Sequence, residues 1–125
     1  MDRQSAIDTI LDHYEHPRNY GALDDPTFVG EGVNPGCGDR VRLYVRLDAA
    51  GRVEAVRFEG EGCTISQAAA SLLTGQVLGR SLDDVLEMDE TSLAAALGPE
   101  VVSSRLPCVA LGLRVLQEAG HAYRD

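Results

Sequence analysis

The residues of widest chemical scope in this chain are its three cysteines, Cys37, Cys63 and Cys108. A thiolate ligates soft and borderline metals, and it attacks sulfur. An odd count fits a disulfide framework poorly, so the three are free thiols or ligands; we read them as ligands of one metal or iron-sulfur site, with three small apolar core residues the plainer alternative. Cys37 and Cys63 are 26 positions apart and Cys63 and Cys108 are 45 apart, unlike the paired short loops of a zinc ribbon, so the fold must bring them together. Three thiolates leave a tetrahedral divalent ion one ligand short. Asp39, two positions from Cys37 and able to turn to the same side of an extended segment, is the nearest completion; a turn aspartate capping a backbone donor is the plainer alternative. His13 and His16 fall at the end of a first helix and read as exposed or C-capping, and His121 reads as solvated beyond the last helix. Arg105, three positions before Cys108, either balances thiolate charge or faces solvent.

The elements that must position these residues follow from hydrophobic period. Ile7, Ile10, Leu11 and Tyr14 predict an amphipathic helix over 3–14, limited by Pro17. Residues 18–34 carry glycine, proline and aspartate punctuation and read mostly as loop, with 27–29 a candidate short strand. Val41, Leu43, Val45 and Leu47 alternate with Arg40, Arg42, Tyr44 and Arg46, the pattern of a half-buried strand over 40–48. A turn at 49–51 leads to a second strand over 53–59, with Val56 and Phe58 facing one way and Arg57 and Glu59 the other. After Cys63 the period becomes helical through Ile65, Ala68, Ala69, Leu72 and Leu73, with Thr64 and Gln67 matching a capping box and Gly79 a stop. Ser81 with Asp84 opens a short helix, 89–97 forms another ended by Gly98 and Pro99, and a last helix runs over 105–119. Pro107 is tolerated only in a first turn, so that helix opens just before Cys108. Strands ahead of a run of helices predict an α+β fold, a small antiparallel sheet with helices packed on one face, with residues 1–125 as a single domain.

This framework brings two of the cysteines together. In a hairpin symmetric about Ala50, paired residue numbers total 100, so Asp48 faces Arg52, Arg40 faces Gly60, and the extended register sets Cys37 opposite Cys63. Such pairs lie about 4.5–5.5 Å apart at Cα. Both cysteines are set among glycines, in NPGCGD and GEGCTIS, which let the backbone bend and a bulky group approach. Cys63 just precedes one helix and Cys108 lies in the first turn of another, and helix N-termini favour the anionic thiolate.

Composition narrows the partners. With 125 residues, 44% hydrophobic and 25% charged, the chain buries a core without external staples. A net charge of −9 repels nucleic acid phosphates and anionic lipids, which argues against both as partners. Arg40, Arg42 and Arg46 alternate along a strand and read first as a solvated sheet face, second as a docking surface for an acidic partner. No apolar run approaches the roughly 20 residues of a membrane span. The start of the chain lacks the layout of a signal peptide, so a cytoplasmic location is expected.

Four features together resemble the IscU/SufU family of iron-sulfur cluster assembly scaffolds, which includes NifU N-terminal-like chains. They are DHYEHPRNYG at 12–21, NPGCGDR at 34–40, GEGCTIS at 60–66, and a third cysteine opening the last helix. The resemblance implies a three-stranded antiparallel sheet, with an added first strand around 28–33. It implies that Cys37, Asp39, Cys63 and Cys108 form one exposed site for a transient 2Fe-2S cluster, with zinc an alternative occupant of the protein as isolated. It further implies a cysteine desulfurase delivering persulfide sulfur, with Cys108 the candidate first acceptor. Iron and electrons follow, and the cluster passes to apo iron-sulfur acceptor proteins, so the chain is a scaffold rather than an enzyme. A carboxylate ligand is more labile than a fourth thiolate, which suits transfer.

The sequence departs from both branches of that family. Where IscU-type chains carry a histidine before the third cysteine, Pro107 stands here, and the LPPVK-like segment that recruits a dedicated chaperone is replaced by VVSSR at 101–105. SufU-type chains carry an arginine matched by Arg105 and a first motif resembling CGDRVRL. Those chains bind zinc and accept sulfur to activate their desulfurase, a sulfurtransferase role that is the alternative function. They also carry roughly one extra helix between the last two cysteines, for which the 45 positions here leave no room. A purely structural zinc module fits least, because such sites are closed by four strong ligands.

Overall fold

The alternation along the central strand sets the architecture. In the computed structural model, which describes residues 2–36 and 38–125, Val41, Leu43 and Val45 turn inward and are at most 2% exposed. This strand, β2 (Asp39–Leu47), lies between β1 (Phe28–Asn34) and β3 (Val53–Glu61) in an antiparallel sheet of order β1-β2-β3. Helix α1 (Arg3–Glu15) precedes the sheet. After it come α2 (Thr64–Val77), α3 (Leu82–Glu87), α4 (Thr91–Leu97), α5 (Pro99–Val102), a 3-10 turn (Ser103–Arg105) and α6 (Leu106–Arg124). The expected α+β arrangement is present, with α2 and α6 covering the inward face and Phe58, Leu73, Leu93, Leu97 and Leu116 at the centre of the core. On the opposite face Arg40, Arg42 and Arg46 pair with Glu61, Glu31 and Glu54 at 3.7, 3.4 and 2.9 Å, so the arginine stripe is a solvated, largely neutralised surface.

The strand β1, which periodicity only hints at over 27–29 and the resemblance supplies over 28–33, pairs with β2 along its whole length. Its alternation is diluted by Gly30 and Gly32, and packing explains them. Helix α6 crosses so closely that a Cβ on Gly32 would lie 2.5 Å from Val115 Cγ2. A strand with side chains there would push α6, and Cys108 with it, off the sheet.

The hairpin starts in the predicted register, with Asp48 N–H donating to Arg52 O at 2.9 Å and Leu47 facing Val53. Arg46 then faces Ala55, leaving Glu54 as an extra residue, a β-bulge. From there the register is shifted by one, and Arg40 faces Glu61 rather than Gly60. The predicted opposition of Cys37 to Cys63 therefore loses its basis, and Cys37 itself lies outside the described residues.

Three helix ends also differ from expectation. The N-cap of α2 is Cys63, not Thr64, so the Thr64–Gln67 capping box is absent. Helix α4 opens at Thr91, behind the N-cap Glu90, and Pro99 begins a further short helix instead of only ending α4. Helix α6 continues to Arg124 because Gly120 packs against Leu82 and Leu86, Tyr123 stacks on Phe28 with ring centroids 5.4 Å apart, and Arg124 pairs with Asp83. His121 is thus inside the last helix.

The DHYEHPRNYG segment fastens the chain to α2 and to the edge of β3. Arg18 N–H donates to Ser71 Oγ at 2.8 Å, His13 Nδ1 lies 2.8 Å from the same hydroxyl, and Asn19 Nδ2 donates to Thr74 Oγ1 at 3.0 Å. Burial, reinforced by the Arg18 charge and only partly offset by Asp12, holds the His13 imidazole below its ordinary pKa and favours the neutral ring. Gly21 N–H donates to Phe58 O at 2.8 Å and Phe58 N–H to Asn19 O at 3.0 Å, so this segment covers the outer edge of β3. Among the described residues, no helix is long and apolar enough to cross a membrane.

Candidate metal and cluster site

Asp39 opens β2 and is 1% exposed. Its Oδ1 accepts the backbone N–H of Cys63 at 2.8 Å, while Oδ2 lies 3.9 Å from Cys63 Sγ and 3.5 Å from Asn34 Nδ2. The plainer role foreseen for this aspartate, accepting a backbone donor, is filled by one oxygen, but across the sheet rather than within a turn. The other oxygen remains directed at sulfur. Burial raises the pKa of this carboxyl, but the Cys63 N–H and the side chains of Cys108, Ser66 and Cys63 together outweigh it. The net shift is downward, so Asp39 is an anion at neutral pH. Its neighbours Gly38 and Arg40 are exposed, so the carboxylate is screened by a thin rim rather than by depth, and desolvation loses to its donors.

Close approach of Asp39 to the start of α2 depends on Gly62. That residue has φ +141°, and a Cβ there would lie 2.8 Å from Asp39 Cα and 2.3 Å from Oδ1. Cys63 follows as the N-cap of α2, its sulfur accepting Ser66 N–H at 3.4 Å, while Ser66 Oγ donates to Cys63 O at 3.0 Å. Cys108 lies in the first turn of α6, as Pro107 predicted, and is 1% exposed.

These three residues converge. A carboxylate oxygen of Asp39 and the sulfurs of Cys63 and Cys108 all lie within 4.8 Å of one another. Tetrahedral zinc with Zn–S near 2.3 Å holds its donors about 3.7 Å apart, so the cluster needs to close by only about 1 Å. Two soft sulfurs and one carboxylate suit zinc or iron and poorly suit magnesium or calcium, so the donor set fits the groups the sequence implied. Cys37, the fourth residue of the expected set, lies outside the described residues. No histidine belongs to this group among the described residues, and Arg105 is the exposed N-cap residue of α6. Against the expectation of an exposed site, Asp39 and Cys108 are buried and only Cys63 is partly open, because the start of α6 is packed against the end of the sheet. Sequence reasoning did not single out Asn34 or Ser66. Asn34 faces Asp39 on the last rung of β1 and β2, a pairing that the first motif, NPGCGDR, contains but does not reveal until β1 is recognised as a strand.

A three-stranded α+β fold with a carboxylate and cysteine thiols gathered where the sheet meets two helix starts defines a class of small metal- or cluster-handling domains. Residues 6–125 match the model of the NifU-like N terminal domain, and the chain belongs to that family. The chain is 35% identical to the iron-sulfur cluster assembly scaffold protein IscU of Escherichia coli K12 over 119 residues, covering 93% of this chain and 91% of that protein. It is 47% identical to the zinc-dependent sulfurtransferase SufU of Bacillus subtilis over 81 residues, which is 65% of this chain but only 54% of that protein's length. Among solved structures, a putative scaffold protein for the SUF system from Fervidobacterium islandicum superposes with a TM-score of 0.74 at 26% identity, covering 90% of this chain and 93% of that one. A NifU-like N-terminal domain from Brucella abortus shares the fold with a TM-score of 0.77 at 19% identity, over 96% of this chain and 98% of that one.

Two outcomes follow from this geometry. In metal-free protein under reducing conditions, iodoacetamide labelling mapped by mass spectrometry is expected to modify Cys63 faster than Cys108; the reverse order would contradict the burial of Cys108. Gly62→Ala is expected to lower unfolding stability by about 1–3 kcal/mol in urea titrations, through its positive φ and its clash with Asp39.

Proposed function

We propose that this chain is a cytoplasmic scaffold on which a 2Fe-2S cluster is assembled and from which it passes to apo iron-sulfur proteins. Residues 1–125 act as one domain, with Cys37, Asp39, Cys63 and Cys108 as ligands. The observation that carries the reading is the gathering of Asp39, Cys63 and Cys108 within 4.8 Å. The family supports it, and so does the likeness to IscU over nearly the whole chain.

The residues account for the steps required. A cysteine thiolate attacks the outer sulfur of a desulfurase persulfide; a new S–S bond forms, the old one breaks, and the desulfurase cysteine leaves as a thiolate. Cys108 remains the candidate acceptor, and its burial means that the rim around the first turn of α6 must open to admit the persulfide. Reduction of each delivered sulfur to sulfide takes two electrons from a donor other than this chain. Asp39 holds one corner of the site through the weakest ligand of the four, and its Oδ1 keeps the Cys63 N–H as a partner when the carboxylate lets go of iron. Release is therefore built into the ligand set.

A second reading, zinc-dependent sulfur relay, is favoured by the 47% identity to SufU and by Arg105 three residues before Cys108. In that reading zinc supplies thiolate stabilisation at the same ligands. Between Cys63 and Cys108 the chain holds α2, α3 and α4, which the sequence predicted, and beyond them only the single-turn α5 and the 3-10 turn at 103–105.

Anaerobic incubation with a cysteine desulfurase, cysteine and ferrous iron separates the readings. The scaffold is expected to develop 2Fe-2S absorbance and to transfer the cluster to an apo-ferredoxin. No transferable cluster, together with zinc-dependent stimulation of the desulfurase, would replace it with sulfur relay. Asp39→Ala is expected to lengthen the lifetime of the assembled cluster at least severalfold in the same assay. A shortened lifetime would remove Asp39 from the labile position.

A further inference from the structure

The structure assigns Asn34 as a positioning residue of the site, a single side-chain amide that divides its two N–H protons between the carboxylate of Asp39 and the sulfur of Cys108. This inference rests on the reading of those two residues as ligands. Asn34 Nδ2 lies 3.5 Å from Asp39 Oδ2 and 3.8 Å from Cys108 Sγ. These are long contacts, at the outer edge for oxygen and within the normal reach of a larger, softer sulfur. The amide orientation follows from chemistry. Both neighbours are acceptors when ionised, so the NH2 end must face them, and the carbonyl end is left on the side of Gly36, whose Cβ position is 3.7 Å from Oδ1.

The placement is fixed by the fold. Asn34 is the last residue of β1 and pairs with Asp39 across the sheet, while Arg114 of α6 donates to Val33 O at 3.0 Å and ties the same strand end to the helix that carries Cys108. Asn34 therefore stands where β1, β2 and α6 meet. Its side chain touches both the β2 ligand Asp39 and the α6 ligand Cys108. Ligand-orienting partners outside the coordination sphere typically contribute 10–100-fold to metal affinity. Asn34 also offsets repulsion between two anionic ligands that the metal must hold side by side. Hydrogen bonding to a sulfur and a carboxylate that stay in place makes it a determinant of how firmly Asp39 and Cys108 are held, distinct from the ligands themselves.

Cobalt(II), titrated into metal-free protein as a spectroscopic substitute for zinc, tests the assignment without any cluster assay. Wild-type protein is expected to give sulfur-to-cobalt charge-transfer and tetrahedral d–d bands at one ion per chain. Asn34→Ala is expected to bind about tenfold more weakly with shifted d–d bands, and Asn34→Asp, isosteric but unable to donate, more weakly still. Asn34→Ser, which keeps one donor, is expected to fall between wild type and Asn34→Ala and serves if the alanine variant does not fold. An Asn34→Ala protein with unchanged affinity and spectrum overturns the assignment, as does a loss of unfolding stability with unaltered d–d bands. Tighter binding by Asn34→Asp overturns it too, by making position 34 a ligand position. Failure of the wild-type protein to bind cobalt overturns the assignment too, by removing the ligand set it rests on, while the proposed function is decided by the cluster assay.

Discussion

One hydrogen bond ties the functional end of the molecule together, from the backbone N–H of Cys63 to Oδ1 of Asp39 at 2.8 Å. It joins the first residue of the central strand to the residue that caps the longest helix on β3, and it does so with a charged acceptor, which makes it stronger than a neutral bond. Gly62 lets the two backbones come close enough, and Ser66 completes the turn by donating to Cys63 both from its backbone and from its hydroxyl. Remove this bond and the carboxylate, the sulfur and the helix start each lose the reference that places the others.

The site gathers negative charge in a chain that already carries a net charge of −9. Part of the offset is local. Donors approach Asp39 from the Cys63 backbone, from Asn34 and from the thiols, and Cys63 sits at the cap of α2, where unpaired N–H groups concentrate. The arginines of β2 point to the opposite sheet face and pair there with Glu31, Glu54 and Glu61. A cationic metal held by Asp39, Cys63 and Cys108 would supply further balance.

The sheet core and the positions of α1, α2, α3 and α6 were legible from period and caps, whereas the grouping of Asp39 with Cys63 and Cys108 came from the family resemblance, since the hairpin register spoke only to Cys37 and Cys63 and is shifted by one. The strand β1 was not legible, because Gly30 and Gly32 answer to α6 and leave little β signal in the chain itself. Asn34 stayed hidden with it. The register failed at one residue, although the sequence holds a trace of the cause. Val53 and Val56 are both 2% exposed, and two residues three apart cannot share a face of a regular strand. The burial of Cys108 was open only as the plainer reading of any cysteine, since it depends on how α6 docks and not on any feature of its own segment.

The bulge at Glu54 has a reach that belongs to geometry rather than to chemistry. Lengths of hairpin turns usually vary freely, because the ends of a surface loop answer to nothing beyond it. Here the single additional residue near the turn sets the phase of β3 against β2 over the roughly 25 Å of strand that lead to Asp39 and Gly62. An inserted or deleted residue in that distal half would arrive at the far end as Asp39 facing the wrong neighbour, with the glycine gap displaced from where the carboxylate needs it. The bulge is thus a length standard for the site, although it lies at the other end of the hairpin from Asp39 and Gly62.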